Sequence, residues 1–326
     1  MDNPNVTGTS CLRLCGYCTV TALFSPPPGL ADEQGMDSGF PLSPMDLVRE
    51  RTQRRLGARA PLPRRVPLER LIPGEKKVLQ YELAVAEELQ SNLLPRRIPR
   101  VSCVDLSAYY RPSEEVGGDY YDFIEIDEDH LGIAVADVSG KGIPGAMVMT
   151  EARALLKGEA GRSLSPADTL RRVNKVLFQD IKRGMFVTMC YMVLSIKARQ
   201  LTLSSAGHLP LLLLRSASRT CHAVNPGGLA LGIDKGPVFE SKLREERVVL
   251  APGDRFVGCT DGILEAMNAA HEEFGSERLR ALVAEHGALT SSEFVTKLIE
   301  GVEAHAAGAP QHDDMTLVTG RITTES

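Results

Sequence analysis

The run Leu131 to Val138 (LGIAVADV) constrains this chain most: it is apolar almost throughout, carries Asp137 beside its end, and leads straight into Ser139-Gly140-Lys141-Gly142. A short, nearly continuous apolar run predicts a strand buried on both faces. A carboxylate placed at the end of such a strand is costly unless a counter-charge meets it. Three other segments place aspartate at the edge of an apolar run beside glycine or another small residue: Val116-Gly117-Gly118-Asp119, Cys259-Thr260-Asp261-Gly262, and His312-Asp313-Asp314-Met315-Thr316. Taken singly, such an aspartate reads as a turn residue or a helix cap, and Asp314 reads as a cap that orients its neighbour. Taken together they predict one shared site.

Carboxylates that crowd together raise one another's pKa, so a cluster of four needs cations to hold it. An all-oxygen set, with no cysteine ligands and no H-E-x-x-H pair, favours manganese or magnesium over zinc. Two such ions can share a bridging carboxylate, activate a water and neutralise phosphoryl oxygens, which points to phosphoester hydrolysis.

The periodicity around these motifs predicts the frame that carries them. Leu79, Leu83, Ala86 and Leu93 recur at helical spacing from Gly74 to Leu94, and Pro95 ends the pattern. Short strands follow at Val101–Tyr110, Tyr120–Ile126 and Leu131–Val138, then helices at about 144–159 and 165–182, the second opened by the cap-and-proline pair Ser165-Pro166. Val187–Ile196, Gln200–Ser205 and Leu209–Leu214 read as a meander, with Ala206-Gly207-His208 as one of its turns and His208 fixing that turn. Further strands at about 243–250, 254–259 and 315–322, with helices near 263–267, 276–286 and 291–306, complete an α+β pattern of antiparallel strands and grouped helices.

Residues 1–70, with Pro26-Pro27-Pro28-Gly29 and the basic, proline-punctuated run Arg49 to Arg70, show neither period and read as disordered or poorly structured. Residues 71–98 read as a linker helix and 99–326 as the catalytic domain. The spacing Cys11, Cys15, Cys18 resembles the cluster motif of radical SAM enzymes, but no barrel pattern follows it, so the cysteines are read as dispensable. Seven scattered cysteines predict reduced thiols and a cytoplasmic chain. A net charge of -5 argues against nucleic acid as partner, and the apolar run Cys11 to Phe24 is too short and too interrupted to span a membrane.

Glu82 to Pro95 (ELAVAEELQSNLLP), VGGDYYDF, ADVSGKGIP, Ala206-Gly207-His208, TDGILEAMN, Phe274-Gly275 and DDMTLV, in this order over residues 75–322, resemble the PPM-type metal-dependent phosphatases of the bacterial SpoIIE/RsbU branch. The resemblance implies a four-layer αββα sandwich of two antiparallel sheets flanked by helices, with two Mn2+ or Mg2+ ions at one end. It implies that Asp137 bridges the ions, that the Val138 carbonyl completes one of them, that Asp261 and Asp313 hold the other, and that Asp119 reaches the centre directly or through water. Those aspartates would act through metal-bound water. The expected activity is hydrolysis of phosphoserine or phosphothreonine on a STAS-domain anti-sigma-factor antagonist in a partner-switching pathway. The alternatives are a non-catalytic phosphatase-like interaction protein or a phosphatase of small phosphoesters. The linker helix is expected to support a homodimer. Gly145 departs from the alanine common after G-I-P, and is expected to loosen the helix it begins.

Overall fold

The computed structural model describes residues 73–324, so the expected disorder of residues 1–70 and the Cys11, Cys15, Cys18 motif lie outside the described residues. Helix α1 (Pro73–Ser91) comes first, and strands β1 (Val104–Arg111), β2 (Tyr120–Glu125) and β3 (His130–Val138) follow. Helices α2 (Gly142–Ala160) and α3 (Pro166–Asp180) lead to β4 (Val187–Ser195), β5 (Gln200–Ala206), β6 (Leu211–Arg215) and β7 (Thr220–Val224). Next are α4 (Pro237–Lys242), β8 (Glu246–Val249), β9 (Arg255–Cys259), α5 (Asp261–Leu264), α6 (Gly275–His286), α7 (Ser291–Ala306) and β10 (Met315–Ile322).

The ten strands make two five-stranded sheets, ordered β1-β10-β9-β6-β7 and β2-β3-β4-β5-β8, and every named pair is antiparallel. Helices α2 and α3 cover the second sheet, while α6 and α7 cover the first. This is the expected αββα sandwich. Its helix starts follow the sequence: Ser165 accepts the Asp168 amide at 3.1 Å with Pro166 in the first turn, and Thr290 forms a capping box with Glu293 before α7. The larger apolar cluster fills the space between the sheets and under α2 and α3, where Ile133, Ala134, Val135 and Ala136 of β3 are fully buried. A second cluster packs α6 and α7 on the outer face of the first sheet, around Phe294, Leu298 and Leu317.

Two elements depart from the sequence reading. The meander is broken: β4 and β5 pair in one sheet, but β6 joins the other, so Gly207 to Pro210 form a crossing between sheets. Gly207 makes that crossing at φ +71, with the Ala230 backbone where a side chain would need to be. Alternation of apolar residues cannot distinguish a hairpin from a strand that changes sheet, because both sheets bury one face in the same core. Strand β7 and helix α4 were not foreseen: Thr220–Val224 is a largely exposed edge, and Pro237–Lys242 is too short to show a period.

Helix α1 also turns a different face outward from the one its heptad suggested. Leu79, Leu83, Ala86 and Leu93 are half-buried, while Val78, Tyr81, Val85 and Leu89 form an exposed apolar stripe. Gln90, which interrupts the heptad, is buried, donating from Nε2 to the Gly117 carbonyl at 2.7 Å and accepting the Gly117 amide on Oε1 at 2.9 Å.

Candidate metal centre

Each sheet delivers two aspartates to the same end of the sandwich. Asp119 precedes β2 and Asp137 lies one residue from the end of β3, both in one sheet; Asp261 follows β9 and Asp313 precedes β10, both in the other. Strand termini are where a rigid sheet can aim a short carboxylate without breaking its ladder. Asp137, Val138, Asp261, Asp313 and Asp314 line a cavity of about 320 Å³, with Lys141, Thr188 and His208 also on its wall. Asp119 is absent from that wall and sits behind it, 1% exposed.

Asp119 is held by two threonines, which the sequence does not mark as site residues. Its Oδ2 accepts the hydroxyls of Thr260 and Thr316, each at 2.6 Å. Thr260 Oγ1 in turn accepts the Thr316 amide at 3.0 Å, tying the two strand ends together. Their signal lay in the sequence as a hydroxyl residue immediately before Asp261 and another two residues after Asp314, but threonine in a strand is too common to stand out. Burial pushes the Asp119 carboxyl well above the usual carboxylate range, against the pull of the two threonine hydroxyls, and Asp137 and Asp314 add to the rise. Burial likewise pushes Asp137 up to about 7, with Asp261, Asp313 and Asp314 adding to the rise. Asp261 is raised by burial and then by Asp313. The site is one that disfavours its own negative charge.

Asp314 serves the frame. Its Oδ1 accepts the Ser113 amide at 2.7 Å and hydroxyl at 3.0 Å, and its Oδ2 accepts the Gly118 amide at 2.7 Å. The loop that presents Asp119 is therefore clamped from one side by Asp314 and from the other by Gln90. Gly262 is required by close approach: a Cβ there would lie 2.1 Å from the Asp314 carbonyl oxygen. Gly145 has the same role and does not loosen α2. A Cβ at that position would lie 2.2 Å from the Gly140 carbonyl oxygen, so glycine lets α2 seat directly on the Gly140-Lys141-Gly142 loop.

His208 is part of the wall, not a hairpin fixture. Its Nδ1 lies 2.9 Å from Thr188 Oγ1, its Nε2 is buried without a hydrogen-bond partner, and burial pushes the ring down to about 4, against a smaller opposing influence of the Cys259 backbone. It is neutral at physiological pH and leaves Lys141 as the only cationic side chain among the described residues on this wall.

The oxygen atoms at this site could serve hard divalent cations: Asp119 and Asp137 are driven toward protonation by burial first and by the neighbouring carboxylates after it, and a cation would offset both. Among the described residues no three acidic, histidine or cysteine side chains are grouped closely enough to hold a metal ion as they stand. The carboxylates face one another across an open cavity, an arrangement that fits ions keeping part of their water shell, as magnesium does.

The stage II sporulation protein E (SpoIIE) family model matches residues 127–323. Phosphoserine phosphatase RsbU of Bacillus subtilis (strain 168) is 30% identical over 250 residues, covering 76% of this chain and 72% of RsbU. Phosphoserine phosphatase RsbP of the same organism is 28% identical over 188 residues, covering 56% of this chain and 45% of RsbP. The SiaA-PP2C domain of Pseudomonas aeruginosa superposes with a TM-score of 0.68 at 25% identity, covering 78% of this chain and all of that domain. A match this long, on a sandwich whose four strand-end aspartates meet at one end, means that the chain belongs to the SpoIIE family, in the RsbU-like branch of the PPM-type phosphatases.

Proposed function

We propose that this protein hydrolyses phosphoserine and phosphothreonine on a STAS-domain regulatory protein, releasing inorganic phosphate in a partner-switching pathway. The observation that carries the reading is that Asp137, from one sheet, and Asp261 and Asp313, from the other, line one cavity with Asp119 buried behind it, where burial and mutual repulsion call for cations. Phosphatases of this family are metal-dependent. In this chain Asp137, with the Val138 carbonyl, Asp261 and Asp313, would hold two Mn2+ or Mg2+ ions, with Asp119 behind Asp137. When bound, such ions supply Lewis acidity toward phosphoryl oxygens and an activated water.

The remaining work falls to the protein. Thr260 and Thr316 fix the Asp119 carboxylate by two short hydrogen bonds, so it needs no reorganisation when the site charges. Gln90 and Asp314 fix the backbone of the loop before it. Because Gln90 belongs to α1, a displacement of that helix is felt at Asp119 through one side chain. This supports reading residues 71–98 as a regulatory segment ahead of a catalytic domain at 99–326. The exposed stripe Val78, Tyr81, Val85 and Leu89 supports a homodimer through α1. No helix among the described residues is long and apolar enough to cross a membrane.

The deciding experiment offers the purified chain, with Mn2+, a serine-phosphorylated STAS-domain protein from the same genome. Stoichiometric release of phosphate supports the reading. Turnover of a small phosphoester with none of the phosphoprotein would replace the substrate, and turnover of neither would leave a binding protein.

A further inference from the structure

The Gly140-Lys141-Gly142 loop carries the cavity wall's cationic side chain, to which the metal site assigns no work. Lys141 reaches across the cavity mouth: its Nζ lies 3.0 Å from Asp313 Oδ2 and also donates to the His312 carbonyl. The pair is partly open to solvent, with the Lys141 side chain 49% and Asp313 33% exposed. Two glycines at positive φ, Gly140 at +112 and Gly142 at +64, carry the lysine, and Glu114 stands beside Gly142. The loop's carbonyl end rests on α2 through the close approach at Gly145, so its base is fixed while the lysine side chain is free to change partner.

Two consequences follow from that geometry. The ammonium sits on a carboxylate that a divalent cation would need, so lysine and cation compete for Asp313. Once displaced, the ammonium is left at the mouth of a cavity whose other charged walls are Asp137, Asp261, Asp313 and Asp314. A phosphate monoester dianion entering there is repelled by every charged side chain on the wall except Lys141. Resting on the phosphatase reading above, we propose that Lys141 is a tethered counter-ion that closes the site by pairing with Asp313 when no cation is bound, and binds the phosphoryl group of the substrate when a cation displaces it.

The test has two arms, neither of which depends on turnover. In the first, Mn2+ is titrated calorimetrically into the full chain without substrate. Lys141→Met, which lacks the competing charge, binds Mn2+ roughly two- to fivefold more tightly than wild type, as expected for release of a half-exposed ion pair, whereas Lys141→Arg stays near wild type. In the second, inorganic phosphate is titrated into the Mn2+-loaded chain. Lys141→Met loses roughly tenfold in phosphate affinity, the scale of one charge-assisted hydrogen bond at a partly open site, and Lys141→Arg recovers most of it. Kinetically the loss appears in KM for a phosphoester more than in kcat. Unchanged Mn2+ affinity in Lys141→Met overturns the competition, and unchanged phosphate affinity overturns the substrate role. A wild-type chain that binds Mn2+ and phosphate as described yet turns over no phosphoester would sink the phosphatase reading and not this one.

Discussion

The deep and the outer halves of the site are built from the same residue type and held in opposite ways. Asp119 is sealed, fixed by two threonine hydroxyls at 2.6 Å, and Asp137 beside it is pushed up to about 7 by burial and by its neighbours' charge. Asp313 lies at the rim, a third exposed, and is balanced by a lysine that solvent can reach. Asp119 is preorganised, and it and Asp137 are short of positive charge; Asp313 already has a replaceable cation. Burial sets how much each carboxylate contributes, because the same charge is worth far more where water cannot screen it.

The largest effect expected from this contrast is on turnover. Asp137→Asn removes the charge on which the other carboxylates converge, and Mn2+-dependent hydrolysis falls by about a thousandfold or more, with folding retained. Asp313→Asn, at the rim, acts mainly on affinity: activity is largely restored by raising Mn2+ about a hundredfold. Steady-state kinetics across a Mn2+ series distinguish the two, and equal behaviour of the variants would erase the distinction between deep and rim positions.

Gln90→Ala tests the tie between α1 and the inner pair. Removing the amide leaves the Gly117 N–H and carbonyl without their partner, at a cost of about 2 kcal/mol if both stay buried. Chemical denaturation should register that loss, and metal-titrated kinetics should show weaker Mn2+ binding with it. A stability loss with unchanged metal dependence would leave Gln90 as a structural bond only.

His208 supplies a pH test on a wall residue that is not a carboxylate. Its folded pKa, about 4, lies below the usual histidine value, so the unfolded chain takes up the proton first as pH falls. The contribution of neutral His208 is thus fully present above about 6.5 and is lost as pH falls toward 4. Urea denaturation of wild type and His208→Gln between pH 4 and 7 should show a steeper acid loss in wild type, by up to a few kcal/mol. Parallel curves would mean that the ring is solvated or charged in the folded state.

The smallest effect is expected on the outer face of α1. Val85→Glu with Leu89→Glu should lower the solution mass to that of a monomer with little change in thermal stability, since both side chains are exposed. Leu83→Glu, on the half-buried face, should instead reduce stability. Light scattering on the two variants decides which face of α1 pairs, and a dimer that survives the first pair of changes would exclude the exposed stripe.

That Asp137, Asp261 and Asp313 share one cavity was legible because carboxylates at the ends of apolar strands violate the ordinary pattern; that Asp119 lies behind its wall was not. The supports were not legible. Thr260, Thr316 and Asn- or Gln-type residues such as Gln90 are unremarkable in composition, and what they do depends on contacts 27 to 197 residues away along the chain. Gln90 was visible only as a fault in a heptad, and the fault marks the residue that joins α1 to the site. Strand positions were readable from alternation, but the sheet change at Gly207 was not, since periodicity records which face is buried and not which neighbour pairs. Gly145 shows the same limit: helix propensity predicts a penalty for glycine, whereas the close approach of the Gly140 carbonyl demands it.

The most direct test of the account is a Mn2+ titration of the chelator-stripped full-length chain with a phosphoserine protein substrate, following released phosphate. No turnover is expected without divalent cation, with saturable recovery as Mn2+ is added and no recovery at any Mn2+ concentration for Asp137→Asn. Phosphate release by the stripped wild-type chain, or by Asp137→Asn at wild-type rates, would contradict it.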